Sequence, residues 1–313
     1  VSDAPAQPPQ PPERSYVHQR FARINFGQFS ILGYSVAGEE TVVQVPELGV
    51  CFDVGRCPAY ALTSDLLCVT HGHMDHIAGI AYYVSQRFFQ GMKPGTILCP
   101  MELAGPLDDV LKAFRKVERQ QTPYTIVPLL SGELHAVRKD FAIRTFSTHH
   151  GPSSLGYSLV SVREKLKPEF VGIEGHKLGE MKRSGVEIQY RVEVPLVAFL
   201  GDTTAGPVFS HPDVVNAQVL VTECTFFDLD HRVKAKAGKH LHVEDFARIL
   251  PALRNQYIVV GHVSRRTAIR KARSVLRKLV GDEQMSRVLF LMDFDDARDA
   301  GSADELAPFG EEG

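Results

Sequence analysis

The stretch Thr70-His71-Gly72-His73-Met74-Asp75-His76-Ile77-Ala78-Gly79 places four metal-competent side chains within six positions. Apolar Leu66-Leu67-Cys68-Val69 precedes it and Ile77-Ala78-Gly79-Ile80-Ala81-Tyr82-Tyr83 follows. It therefore reads as a buried strand, a tight loop and the start of a helix. At an extended strand end, residues two apart project to the same side, which lets His71 and His73 grip one ion. The turn into the helix redirects Asp75 and His76, which can grip a second ion beside the first. A single structural metal site fits less well, because such sites favour closed, cysteine-rich ligand sets and this cluster has no cysteine.

Around that loop, 313 residues with 44% hydrophobic content can bury a substantial core. The even spread of apolar runs favours one domain, over residues 16–295. A formal charge of -2 gives no global attraction to nucleic acid, so any such binding must come from local patches. Cys51, Cys57, Cys68, Cys99 and Cys224 are scattered and odd in number, which suits reduced core thiols in a cytoplasmic protein better than a disulfide frame. No stretch approaches a membrane span, and residues 1–15 are proline-rich and expected to be loose, as is the acidic tail over 296–313. Short β-rich runs over 29–36, 41–45 and 50–54 come first. After the metal loop, helices over 77–90 and 106–120 alternate with strands over 96–99, 124–130 and 141–147, which implies a layered α/β fold.

Three further strand ends carry chemistry. Phe146-Ser147-Thr148-His149-His150-Gly151 can supply a third imidazole to the first ion, with His150 preferred over His149. Leu196-Val197-Ala198-Phe199-Leu200-Gly201-Asp202 presents a carboxylate where a sheet meets solvent, and each of its oxygens can face one metal. Tyr257-Ile258-Val259-Val260-Gly261-His262 again ends a buried strand in a histidine, able to complete the ligand set of the second ion. Asp53, before Gly55 at another strand end, is either a turn residue or a carboxylate that orients a ligating histidine.

These residues carry a resemblance. The chain resembles the metallo-β-lactamase-fold hydrolases and, more narrowly, the short plant-type form of tRNase Z (ribonuclease Z), the endonuclease family that trims tRNA 3′ ends. The likeness spans about 33–291. Its more specific pieces are Phe52-Asp53-Val54-Gly55-Arg56-Cys57-Pro58, Ser184-Gly185-Val186-Glu187-Ile188, Gly201-Asp202-Thr203-Thr204, Thr222-Glu223-Cys224-Thr225-Phe226 and His240-Leu241-His242. The resemblance implies an αββα sandwich of two mixed sheets with the site along one edge. It implies that His71, His73 and His150 hold one zinc, that Asp75, His76 and His262 hold another, and that Asp202 bridges them, with manganese as an alternative occupant. Two such ions make an attacking hydroxide available near neutral pH and neutralise charge on the phosphoryl oxygens. Asp75 is placed to accept a proton from the nucleophile. Glu223 and His240 match the family's pair that protonates the leaving ribose oxygen, leaving a 3′-OH. His242 has no assigned role.

For the substrate, the segment over 161–192 lies where relatives carry a tRNA-gripping arm, here shortened, and offers Lys165, Lys167, Lys182 and Arg183 among several glutamates. Arg265 and Arg266 open a second basic region that continues into a helix, and Lys234 and Lys236 crowd the loop before His240. Phosphate-backbone contact is the expected use, with a tRNA precursor as partner. By likeness the chain is a homodimer. A hydrolase of a small ester, thioester, lactone or phosphodiester needs the same ions but not the basic segments. A non-enzymatic scaffold would be expected to have lost a ligand.

Overall fold

The computed structural model describes residues 13–18, 21–151 and 153–293. Two mixed β-sheets lie face to face. The first has eight strands in sequence order, β1 (Glu13–His18), β2 (Phe21–Asn25), β3 (Ser30–Val36), β4 (Glu40–Val45), β5 (Val50–Phe52), β6 (Leu66–Cys68), β7 (Thr96–Pro100) and β8 (Thr125–Leu129). It is antiparallel up to β5 and parallel from there on. The second has seven: β9 (Leu134–Arg138), β10 (Phe141–Ser147), β11 (Leu155–Leu166), β12 (Gln189–Phe199), β13 (Val219–Glu223), β14 (Tyr257–Gly261) and β15 (Val288–Phe290). It repeats the pattern, antiparallel through β12 and parallel afterwards.

Period-two alternation sorts the side chains into three cores. Val50, Phe52, Leu66, Cys68 and Leu98 face the second sheet, where they meet Tyr157, Val197, Phe199, Val219 and Val259. The rings of Phe52 and Phe199 stack across that layer with centroids 4.6 Å apart. The intervening Cys51, Leu67, Ile97 and Cys99 point outward onto α1 (Met74–Ile77), α2 (Ile80–Phe89) and α3 (Met101–Glu118), among Ile80, Tyr83, Val84, Leu107 and Leu111. On the far side, Leu220, Ile258 and Val260 share a core with α5 (Pro212–Asn216), α7 (Val243–Ile249) and α8 (Ile269–Met285), which together with α6 (Arg232–Gly238) follow the arm helix α4 (Gly175–Arg183) in the chain. The layering is therefore helix, sheet, sheet, helix. Among the described residues no helix is long and apolar enough to cross a membrane. All five cysteines are free and buried.

Several sequence expectations need correction. Residues 1–12 lie outside the described residues, but Glu13, Arg14 and Ser15 already pair with Asn25, Ile24 and Arg23 in the first hairpin. The tail over 296–313 also lies outside them. The helix expected over 77–90 is split at Gly79, whose N–H donates to the Val54 carbonyl at 3.1 Å. A Cβ there would lie 2.5 Å from that same oxygen and 2.6 Å from the Cys57 nitrogen. Gly79→Ala is accordingly expected to destabilise the fold by ~1–3 kcal/mol in urea unfolding through overpacking against backbone. The helix expected over 106–120 begins at Met101. Of its expected apolar stripe only Leu107 and Leu111 are buried, while Val110, Phe114 and Val117 are exposed.

The hairpin of β11 and β12 runs beyond the sheet, paired from Tyr157 opposite Phe199 out to Leu166 opposite Gln189 with one register shift between Leu159 and Val160. It carries α4 near its tip, and Lys165, Lys182 and Arg183 are exposed on this extension.

Candidate metal centre and proton donor

Asp53, His71 to His76, His150, Asp202 and His262 follow the C-terminal ends of strands, Glu223 is the last residue of β13, and the two sheets bring those ends to one edge. The metal loop is anchored from the opposite sheet. The Leu155 N–H donates to the Thr70 carbonyl at 3.0 Å, and the Tyr157 hydroxyl donates to the Val69 carbonyl at 2.6 Å. His73 then caps the start of α1, which turns Asp75 and His76 inward.

Three overlapping groups of ligand atoms result, each with its atoms within 4.8 Å of one another: Asp202 with His240 and His262 is one, and the other two are His71, His73, His150 and Asp202, and Asp75, His76 and His262. Asp202 lies between these last two. Its Oδ2 is 3.3 Å from His76 Nε2, 3.7 Å from His150 Nε2 and 3.8 Å from His71 Nε2, and its Oδ1 is 3.4 Å from His262 Nδ1. Asp75 Oδ2 is 3.4 Å from His262 Nε2 and accepts the Gly38 N–H at 2.9 Å. His149 is exposed and is engaged through its backbone, its N–H donating to Thr203 Oγ1 at 3.0 Å and its carbonyl accepting the Thr204 N–H at 3.1 Å. His242 is buried, accepts the Glu244 N–H at the start of α7, and its Nε2 faces the Asp228 carbonyl.

The hydrogen bonds fix which nitrogen of each ring is bare. Asp53 is fully buried and held at a φ of 54°, a left-handed conformation uncommon for a residue with a side chain. Its carboxylate accepts from the Thr70 N–H at 2.8 Å, from the Thr70 hydroxyl and from His76 Nδ1 at 2.7 Å. A Thr70 hydroxyl that donates to Asp53 can only accept from His71 Nδ1, 3.0 Å away. The Lys239 carbonyl likewise accepts from His150 Nδ1 at 2.9 Å. The Thr225 hydroxyl donates to Glu223 at 2.6 Å and so accepts from His262 Nδ1 at 3.1 Å. Each of these four rings thus carries its proton on Nδ1 and turns a lone pair on Nε2 into the cluster. Asp53 is therefore an orienting carboxylate.

This donor set fits divalent cations. His71 Nε2 and His76 Nε2 are buried with no hydrogen-bond partner, an expensive arrangement unless something electrophilic sits between them. Burial, reinforced by His76, drives the His71 pKa down to about 2, so this ring is neutral and free to ligate. Burial would also lower His76, but Asp202 and Asp53 on either side hold it well above the ordinary histidine value. Burial pushes Asp202 upward, yet His262 and His76 keep its carboxyl well below the usual range. The carboxylates thus demand positive charge at a place where a proton or a cation can supply it.

Beside the cluster, Glu223 is buried and saturated. It accepts from the Thr203 N–H at 2.7 Å, the Leu241 N–H at 3.1 Å, the Thr225 hydroxyl and His240 Nδ1 at 3.0 Å. Burial alone would depress His240, but Glu223 and then Asp202 outweigh it and raise its pKa to about 9. The His240 ring lies 4.7 Å from that of His150 and 5.3 Å from that of His262, centroid to centroid.

The basic residues singled out in the sequence are elsewhere. Lys167 pairs with Glu187 at 3.0 Å and Lys182 with Gln189 at 3.2 Å, both within the arm. Arg265 pairs with Glu39, and the Arg266 N–H donates to Ser264 Oγ at 3.4 Å. Thr70, Thr225 and the Lys239 carbonyl were not singled out in the sequence. Only Thr70, a hydroxyl wedged between a buried strand and the first histidine, carried a usable signal.

A model of the β-lactamase superfamily domain matches residues 58–263, which holds every residue of the cluster. A tRNase Z of Arabidopsis thaliana is 35% identical over 254 residues, covering 80% of this chain and 91% of its own. The chloroplastic tRNase Z of the same plant is 34% identical over 82% of this chain and 73% of its own. This chain belongs to the tRNase Z family. Membership makes it a metal-dependent endoribonuclease, in keeping with the imidazole and carboxylate cluster. Among solved structures, the human short-form tRNase Z superposes with a TM-score of 0.54 at 18% identity, over 75% of this chain and 92% of that one. The fold protein YhfI from Bacillus subtilis gives 0.55 at 14% identity. At such identities these two bear on the fold alone, that of the metallo-β-lactamases.

Proposed function

We propose that this family member cleaves precursor tRNA on the 3′ side of the acceptor end, removing the trailer and leaving a 3′-OH, with two zinc ions in the cluster. The observation that carries this reading is the placement of His240, backed by Glu223, against a pair of ligand groups that share Asp202. His71, His73, His150 and Asp202 would hold one ion, and Asp75, His76, His262 and Asp202 the other. The neutral imidazoles suit zinc better than magnesium or calcium. When bound, such a pair supplies a water acidic enough to be deprotonated near neutral pH and neutralises charge on the phosphoryl oxygens.

The chain's own residues supply the rest. Asp75, tethered by Gly38 and facing His262, is placed to receive the nucleophile's proton. His240 donates from Nε2 to the departing ribose oxygen, and Glu223 holds its Nδ1–H and stabilises the cationic ring until the transfer. Lys165, Lys167, Lys182 and Arg183 on the arm, with Arg265 and Arg266 beyond His262, are assigned to the phosphate backbone. The homodimer and a cytoplasmic setting complete the reading. They are supported by the protruding arm and by five free thiols.

The test is cleavage of a trailer-bearing tRNA precursor beside bis(p-nitrophenyl) phosphate. The precursor should be cut once, at the 3′ end, and binding should weaken at least about tenfold between roughly 50 and 200 mM salt if three or more phosphates are neutralised. An intact precursor under conditions where the small diester turns over would remove the tRNA assignment.

A further inference from the structure

We propose that Lys239 is a positioning residue whose backbone, not its charge, couples the seat of the first ion to the proton donor. The inference rests on the reading of His150 as a ligand and His240 as the acid. Helix α6 ends in a Schellman arrangement: the His240 N–H donates to the Ala235 carbonyl at 2.9 Å and the Lys239 N–H to the Lys236 carbonyl at 3.3 Å. Lys239 is the left-handed residue of that cap, with φ 53° and ψ 48°. Glycine is the usual occupant of this position, yet here the glycine stands one place earlier. Glycine at 238 has a steric reason of its own, since a Cβ there would lie 3.0 Å from Cδ2 of the His240 ring.

The left-handed turn does two things at once. It aims the Lys239 carbonyl at His150 Nδ1, 2.9 Å away, and so fixes the tautomer that leaves His150 Nε2 bare. The next two residues then engage the two oxygens of Glu223, His240 through Nδ1 at 3.0 Å and Leu241 through its N–H at 3.1 Å. The side chain of Lys239 is exposed. One peptide unit therefore sets both a ligand and the acid, and relaxing the turn releases them together. A local choice that runs against backbone preference, with both consequences falling on the site, is the pattern expected of a functional constraint.

The test compares Lys239→Gly, which adopts the turn freely, with Lys239→Val, whose β-branch resists it, and with Lys239→Thr as the milder β-branched variant should the valine protein not fold. Long-range proton–nitrogen NMR on the metal-free protein reads the His150 tautomer, and competition with a chromophoric chelator reads zinc affinity. Lys239→Gly should keep the Nδ1–H tautomer and stay within about threefold of the wild-type zinc affinity. Lys239→Val should lose the tautomer and bind zinc about 10- to 100-fold more weakly, the usual effect of removing a group that orients a ligand. Its kcat should also fall further on a tRNA precursor than on bis(p-nitrophenyl) phosphate, whose leaving group needs no proton. Unchanged tautomer and affinity in the valine or threonine variant would overturn the proposal. So would a glycine variant as impaired as valine, which would assign the effect to the lysine side chain. A wild-type chain that binds no zinc would instead defeat the reading of the cluster as a metal centre, while the metal-free NMR would still decide the hydrogen bond.

Discussion

Asp202→Ala is expected to lower kcat/KM on a tRNA precursor by at least about 10³-fold, since a metal pair contributes several kcal/mol of transition-state stabilisation and each 1.36 kcal/mol is tenfold in rate. Asp202 is the one carboxylate in contact with both ligand groups, with Oδ2 turned to His71, His76 and His150 and Oδ1 to His262. Without it the groups lose their shared anion, and two cations a few ångströms apart would repel each other unscreened. Bound metal per chain, measured by elemental analysis, should fall from two to one or fewer. Asp202→Asn keeps the shape but not the charge and should behave similarly. A variant that retains both ions and near-normal turnover would show that Asp202 does not bridge.

His240→Ala separates the acid from the metals. Its loss should cost about 10²–10⁴-fold in kcat on the RNA, the range expected for a general acid. The effect on bis(p-nitrophenyl) phosphate should be much smaller, because p-nitrophenolate departs without a proton, and metal content should stay at two. Glu223→Gln should show the same pattern more weakly and should also lower the His240 pKa, because the carboxylate is the largest influence holding it up against burial. The descending limb of the kcat–pH profile on RNA, where His240 must stay protonated to donate, should therefore move to lower pH. Equal losses on both substrates would mean that His240 acts on the cluster rather than on the leaving group.

How much of this was legible in the sequence follows from where the chemistry sits. Histidine and aspartate at four strand ends were visible because each motif is local: an apolar run, a glycine or turn, then a metal-competent side chain. The runs carried the layered α/β class, because alternating strands and helices need such layers, whereas the sandwich of two mixed sheets came from the family resemblance. What was missed depends on through-space partners. Thr225 and the Lys239 carbonyl orient His262 and His150 across 37 and 89 residues of sequence, and nothing in either local stretch announces it. The start of α3 was misplaced because its N-cap, Pro100, makes no side-chain cap hydrogen bond, so the usual polar signal is absent. The two leading strands were missed because β1 begins in what reads as the end of a proline-rich tail. Spacing could not separate His150 from His149, and it is the Lys239 carbonyl on His150 Nδ1 and the exposure of His149 that distinguish them.

The most direct test of the central claim is anomalous diffraction from crystals of the zinc-loaded protein. The account predicts two peaks about 3.5–4 Å apart. One should sit among His71, His73, His150 and Asp202 and the other among Asp75, His76, His262 and Asp202. A single peak, or two peaks with His262 or Asp202 turned out of the cluster, would contradict it.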